Sequence, residues 1–186
     1  MSIEPHYFIA INLPDSIKEQ IAAAKQTLKN QFPFQKWVHK EDYHLTLAFL
    51  GKSSNSQLQL LADQLDKSLY GSEAFSLQIE KMGIFGNYAK PRIFWLGVKE
   101  EKKLTSLRNK VYDECEKVDF KLESRPFYPH ITLARKWEDA SFPIEALQQK
   151  NPFAHKELSF SVHSIEIFQT HVNKEPKYER IHTSLF

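Results

Sequence analysis

Apolar positions recur along this chain at two spacings, one of period two and one of three to four, and the switches between them mark its elements. Residues 7–13 read as a strand, and Pro14-Asp15-Ser16 opens a helix on which Ile17, Ile21, Ala24 and Leu28 share a stripe, with Asp15 as the expected cap. Residues 37–39 and 44–50 read as strands around a polar Lys40-Glu41-Asp42 turn. Ser56 is expected to cap a second helix, with Leu58, Leu61, Leu65 and Leu69 on one face and an end near Gly71, where the first half of the chain closes. Strands over 75–84 and 93–98 follow, linked through Gly83, Gly86, Asn87 and Pro91. Leu104, Leu107, Val111 and Cys115 or Val118 form a third helical stripe, and residues 128–135 another strand. A short helix around 143–149, one long strand-like run over 158–170 and a last strand over 178–185 complete the pattern. No Gly/Ser linker divides it. The expected architecture is a single α+β domain over residues 1–186, built of two pseudo-symmetric lobes, each an antiparallel sheet with outer helices.

Two of these strands carry nearly the same phrase, His44-Leu45-Thr46-Leu47-Ala48 and His130-Ile131-Thr132-Leu133-Ala134. Strand side chains alternate between faces, so each copy sets an imidazole and a hydroxyl side by side on one face and apolar groups on the other. A lone H-x-T on a strand is commonly a half-buried histidine beside a β-favouring threonine. The repetition argues otherwise, because packing needs only the leucine positions and makes no demand for His and Thr opposite them. Brought together, the two copies supply two imidazoles to move protons and two hydroxyls to hold an oxyanion, a kit for phosphodiester hydrolysis without metal.

Composition narrows the remaining choices. With 186 residues, 41% apolar and 26% charged, the chain is of ordinary globular character. It has no apolar run near the ~20 residues of a membrane helix. The opening MSIEPHYFIAINLP lacks a basic stretch before its short apolar run, so a signal peptide is not expected. The lone Cys115 allows no intrachain disulfide and no zinc spacing, and reads as a structural thiol on a helix. A cytoplasmic location follows as an expectation. The net charge is only +2, but residues 81–136 hold thirteen Lys/Arg against seven Asp/Glu, and Arg125, Arg135 and Lys136 flank the second motif, which suits an anionic ligand there. His6, His39, His155, His163, His171 and His182 show no metal-ligand spacing and read as surface or satisfied structural residues; no cofactor is expected.

The stretch WVHKEDYHLTLAFLG at 37–51 and RPFYPHITLAR at 125–135 resemble the two signature motifs of the 2H phosphoesterase superfamily, and within it the bacterial RNA 2',3'-cyclic phosphodiesterase (2'-5' RNA ligase-like) family. The resemblance extends through HYFIAINLP, PRIFWLGV and KYERIHTSLF. It implies a cleft between the lobes with one motif strand facing it from each side. By the same resemblance, His44 is the proton donor to the leaving 3'-oxygen and His130 the base that activates water, leaving a 2'-phosphate; the residues alone leave those two roles interchangeable. Thr46 and Thr132 are expected to donate to the non-bridging phosphate oxygens, each such donor being worth about 2–4 kcal/mol in the transition state. Arg135 is a family substrate contact, yet ideal alternation from His130 puts it on the opposite face, so only a bulge or strand end brings it to the phosphate. Tyr128 falls on the cleft side by parity, suited either to stacking on a base or to core packing. Phe49 stands where the second motif has Arg135. The expected partner is RNA with a 2',3'-cyclic phosphate end, or a related small cyclic nucleotide, acted on by a monomer with no membrane association. The alternatives are reversible 2'-5' RNA ligation and a non-catalytic module that grips RNA ends.

Overall fold

The computed structural model describes residues 5–154 and 156–186, so His155 lies outside the described residues. Strand β1 (His6–Asn12) leads into α1 (Asp15–Gln31), β2 (Phe34–Trp37), a 3-10 turn (Lys40–Asp42), β3 (His44–Lys52) and α2 (Asn55–Leu69). Then come β4 (Phe75–Gly86), β5 (Pro91–Val98), α3 (Lys102–Lys117), β6 (His130–Trp137), the single-turn α4 (Ala146–Gln149), β7 (Ser159–Val162), β8 (Ser164–Thr170) and β9 (Tyr178–Leu185).

Helix starts differ from expectation by a residue or two. Pro14 holds the cap position of α1 without a side-chain bond and Asp15 is already helical, its charge favourable at the helix N-terminus. Ser54, not Ser56, caps α2, its hydroxyl accepting from the Gln57 N–H at 3.2 Å. Among the described residues, no helix is long and apolar enough to cross a membrane.

The strands run in the order β7-β4-β5-β6-β3-β1-β8-β9, all neighbours antiparallel, with β2 on β6. Within this path the two halves are stitched between β3 and β6 by a single pair, Leu45 opposite Ile131. Beyond that pair β2 takes over the edge of β6, with Lys36 opposite Arg135 and Trp37 opposite Ala134, and so parts the two lobes. The run over 158–170 is two strands rather than one. β7 pairs with β4 in the second lobe and β8 with β1 in the first, the chain crossing between lobes at His163. The lobes are therefore not the two halves of the sequence: β8 and β9 return to complete the first.

The face opposite the motif histidines carries the main core, in which the predicted stripes of α1, α2 and α3 pack on Ile9, Ile11, Leu45, Leu47, Ile131 and Leu133. Cys115 is fully buried within it, and burial first, then Glu114 and Glu116, pushes its thiol up to about 12, as suits an inert structural thiol. Aromatic rings fill the second lobe's share, with Phe34 stacked on Phe94 at 5.4 Å and edge-on to Trp137 at 5.1 Å.

Both motif strands depart from alternation at the same place. In β3 Ala10 pairs with Thr46 and Ile9 with Ala48, leaving Leu47 as an extra residue; in β6 Trp95 pairs with Thr132 and Phe94 with Ala134, leaving Leu133 extra. Each is a β-bulge that sends two successive residues, Leu and Ala, into the core. The shared Thr-Leu-Ala is the signature of that bulge, since alanine is small enough to sit beside the leucine.

Leu45 is fully buried at the junction of the lobes. Leu45→Ala is expected to lower unfolding stability by about 2–5 kcal/mol, the usual cost of such a core truncation, read from the midpoint of urea unfolding.

Candidate active site

The Leu45–Ile131 pair sets the two motifs antiparallel about a common point, so His44 and Thr46 on one side and His130 and Thr132 on the other flank it on one face of the sheet. All four are half-buried. The two imidazoles are held in the same manner. His44 Nδ1 lies 2.7 Å from the Asp42 carbonyl, and His130 Nδ1 lies 2.7 Å from the Tyr128 carbonyl. A carbonyl only accepts, so each Nδ1 carries the proton and each neutral ring keeps its Nε2 lone pair for the cleft. The Nε2 of His44 meets the Thr46 hydroxyl at 3.1 Å, with the hydroxyl as donor while the ring is neutral.

Aromatic rings wall in both histidines. Phe8 lies 4.8 Å and Phe168 6.2 Å from the His44 ring, and Tyr178 meets it edge-on at 5.1 Å. Phe85 is edge-on to His130 at 4.8 Å and Trp95 lies at 6.4 Å. Trp95 fits only because Gly83 stands across from it in β4; a Cβ there would come within 2.2 Å of the indole.

These dry surroundings govern the charge. Burial drives His44 down to about 4; its bond to the Asp42 carbonyl opposes this, while the nearby positive charges of His130, Arg135 and Lys18 add to it. Burial also lowers His130, opposed by the Tyr128 carbonyl and reinforced by Arg135. Both rings are therefore neutral near pH 7 in the free protein.

The bulge settles Arg135. By skipping Leu133 it returns Arg135 to the face of His130 and Thr132, opposite Ile93 in β5. Its charge reaches both histidines, and it lies beside the half-buried Tyr178 phenol, limiting the rise that burial causes there. The corresponding bulge in β3 brings Phe49 to the same face, opposite Phe8, where its ring is 54% exposed. Tyr128 precedes β6 and is 50% exposed, its ring edge-on to Phe85 at 5.6 Å, near Trp95 at 5.4 Å and below the Lys81 amine at 6.0 Å. Half of the residue's surface thus stays open to solvent.

Two participants were not legible in the sequence. Tyr178 arrives from the last strand, far from either motif, and Asp42 looked like one more polar turn residue. The other histidines are peripheral. His6 and His163 are exposed, and His39 accepts from the Glu41 N–H. His171 pairs with Glu179 at 2.6 Å and His182 with Asp66 at 2.9 Å. Among the described residues no group of three or more His, Cys, Asp or Glu is placed to hold a metal ion.

A two-lobed antiparallel sheet that pairs two H-x-T strands across a cleft defines a 2H phosphoesterase. A model of the 2'-5' RNA ligase superfamily matches residues 13–174. An RNA 2',3'-cyclic phosphodiesterase from Geobacillus stearothermophilus is 44% identical over 95% of this chain and 55% of its own length, so the chain spans little more than half of that relative. The enzyme of that name from Bacillus subtilis is 38% identical over 96% of this chain and 95% of its own. The crystal structure of Escherichia coli LigT complexed with 3'-AMP matches with a TM-score of 0.79 at 25% identity, covering 98% of this chain and 99% of that one. The chain belongs to the 2'-5' RNA ligase superfamily.

The histidine environment has a measurable consequence. In NMR titration of the free protein, His44 is expected to protonate near pH 4, far below the ordinary 6.5, and to move upward when inorganic phosphate fills the cleft. Because the unfolded chain binds the proton first, this histidine's contribution to stability is fully present above pH 6.5 and is lost as the pH falls toward 4. Thermal melts should show His44→Ala with a shallower loss of Tm than the parent over that window.

Proposed function

We propose that this chain hydrolyses RNA 2',3'-cyclic phosphodiester ends to 2'-phosphomonoesters without a metal ion. The observation that carries the reading is the antiparallel pairing of the two H-x-T strands, with both imidazoles held at Nδ1, which leaves Nε2 as the working nitrogen, that of His44 beside the Thr46 hydroxyl. The substrate phosphate lies between the two rings. His130 accepts a proton at Nε2 from the attacking water, whose oxygen forms the new bond to phosphorus. The bond from phosphorus to the 3'-oxygen breaks, and His44 supplies that oxygen with a proton from its own Nε2.

A neutral His44 has no such proton to give. The anionic phosphate provides the remedy, for its charge offsets Arg135 and favours imidazolium, so the proton enters with the substrate. Once His44 is protonated, its Nε2 no longer accepts from Thr46, and that hydroxyl turns to a phosphate oxygen. Thr132 does the same from the second strand, and Arg135 takes up the growing negative charge. Tyr128 offers its exposed ring face to the terminal base, near the Lys81 amine. Residues 1–186 act as one bilobal domain, as a monomer in the cytoplasm.

Hydrolysis of a short RNA with a 2',3'-cyclic phosphate end, in EDTA, with the product's phosphate position identified by NMR, tests this. Turnover to a 2'-phosphate is expected, with His44→Ala and His130→Ala each lowering kcat by about 10²–10⁴. Thr46→Val and Thr132→Val should each cost about 3 kcal/mol of transition-state stabilisation. Loss of activity to the chelator, restored by one particular divalent ion, or tight end-binding without turnover, would count against the reading.

A further inference from the structure

The two histidines share one holding device, an Nδ1–H bond to the carbonyl two residues earlier, but the residues that carry those carbonyls differ. Tyr128, which serves His130, is half exposed and lies outside any strand. Asp42, which serves His44, is only 5% exposed. Its carboxylate is satisfied by backbone amides from the far end of the chain: Lys177 N–H donates to Oδ1 and Oδ2 at 3.0 and 2.9 Å, and Tyr178 N–H to Oδ1 at 3.1 Å. These bonds dock the β8–β9 connection and the first residue of β9 against the turn that precedes β3. The docked residue is Tyr178, whose ring stands edge-on to His44 at 5.1 Å and 89°, and edge-on to Phe8 at 4.9 Å. A single buried residue thus meets His44 from two directions: its backbone carbonyl accepts from Nδ1, and its carboxylate holds the β8–β9 connection that carries the Tyr178 ring against the imidazole.

We propose that Asp42 is a positioning residue for His44, fixing its tautomer and ring plane through its own carbonyl and through Tyr178. This rests on His44 being the proton donor, as proposed above. The asymmetry between the histidines suits their chemistry. A donor must deliver its proton to one covalently placed ribose oxygen, so its Nε2 direction has to be held; a base that draws on a small, mobile water tolerates a looser mount. Misplacing a reacting group by about 1 Å can cost about 100-fold.

The test combines histidine NMR with kinetics on the full chain. His130, Arg135 and Lys18, the positive charges facing His44, are unchanged in every variant; Asp42→Ala and Asp42→Asn remove a carboxylate and Tyr178→Leu a phenol, and since loss of a nearby negative charge lowers a histidine, an upward shift reports the mount. For Asp42→Ala, the expected result is a His44 resonance that titrates closer to 6.5 with an Nε2–H tautomer now populated, an unmoved His130, and kcat lowered about 100-fold. Asp42→Asn keeps the oxygen shared by both amides and should restore most of kcat. Tyr178→Leu, which leaves the carboxylate intact, should move His44 in the same direction and serves if Asp42→Ala does not fold. The proposal is overturned if His44 keeps its titration and tautomer in these variants, or if both histidines shift together as in a general loosening. Should the unaltered protein fail to open the cyclic phosphate, the activity reading falls, and the His44 titration still decides the role of Asp42.

Discussion

The site depends on the pairing of Leu45 with Ile131, because that one antiparallel pair is where the two lobes of the sheet are joined. Strand geometry then does the rest. Residues on either side of a paired position point to the opposite face, so burying Leu45 and Ile131 forces His44, Thr46, His130 and Thr132 out together on the other side. Continued pairing of β3 with β6 would leave an unbroken sheet, but β2 replaces β3 along β6 and the lobes part. The cleft and the site therefore have the same origin.

The second constraint is dryness. Each half-buried imidazole sits among aromatic rings, which limits its contact with water and disfavours the charged ring. The proposed mechanism needs one protonated histidine, and there the substrate's own charge counts. On that proposal the anionic substrate is what makes protonation favourable, so proton loading is tied to occupancy. Arg135 strengthens the coupling. Its charge disfavours a proton on both histidines, and in the proposed mechanism a bound phosphate offsets that charge.

Pseudo-symmetry in this chain is local. The motif strands, their bulges and their Nδ1 anchors repeat closely, whereas the surroundings diverge: Phe49 stands against Arg135, and a buried, clamped Asp42 against an exposed Tyr128. The duplicated part supplies paired chemistry. The divergent part gives the two histidines different surroundings, as the separate roles proposed for them require.

Much of this was legible in residue order, and the reason is that its determinants are local. Alternation marks strands, a stripe of leucines marks α2, and His-x-Thr on a strand places both groups on one face wherever that strand goes. The misreadings are as instructive. For Arg135 ideal alternation gave the opposite face and left a bulge or strand end as the way back; the register shift in β6 is such a bulge, which a period-two rule cannot itself locate. The run at 158–170 looked like one strand because a crossing at His163 needs no break in apolar character. Tyr178 and Asp42 carried no signal, since a carboxylate bound to amides 135 and 136 positions away has no spacing to recognise. The sequence by itself determined which residues can do the chemistry and which face of each strand they share. Which strands meet, and hence how the histidines are mounted, dried and told apart, was decided only by the tertiary structure, because pairing, burial and long-range hydrogen bonds depend on neighbours in space and not along the chain.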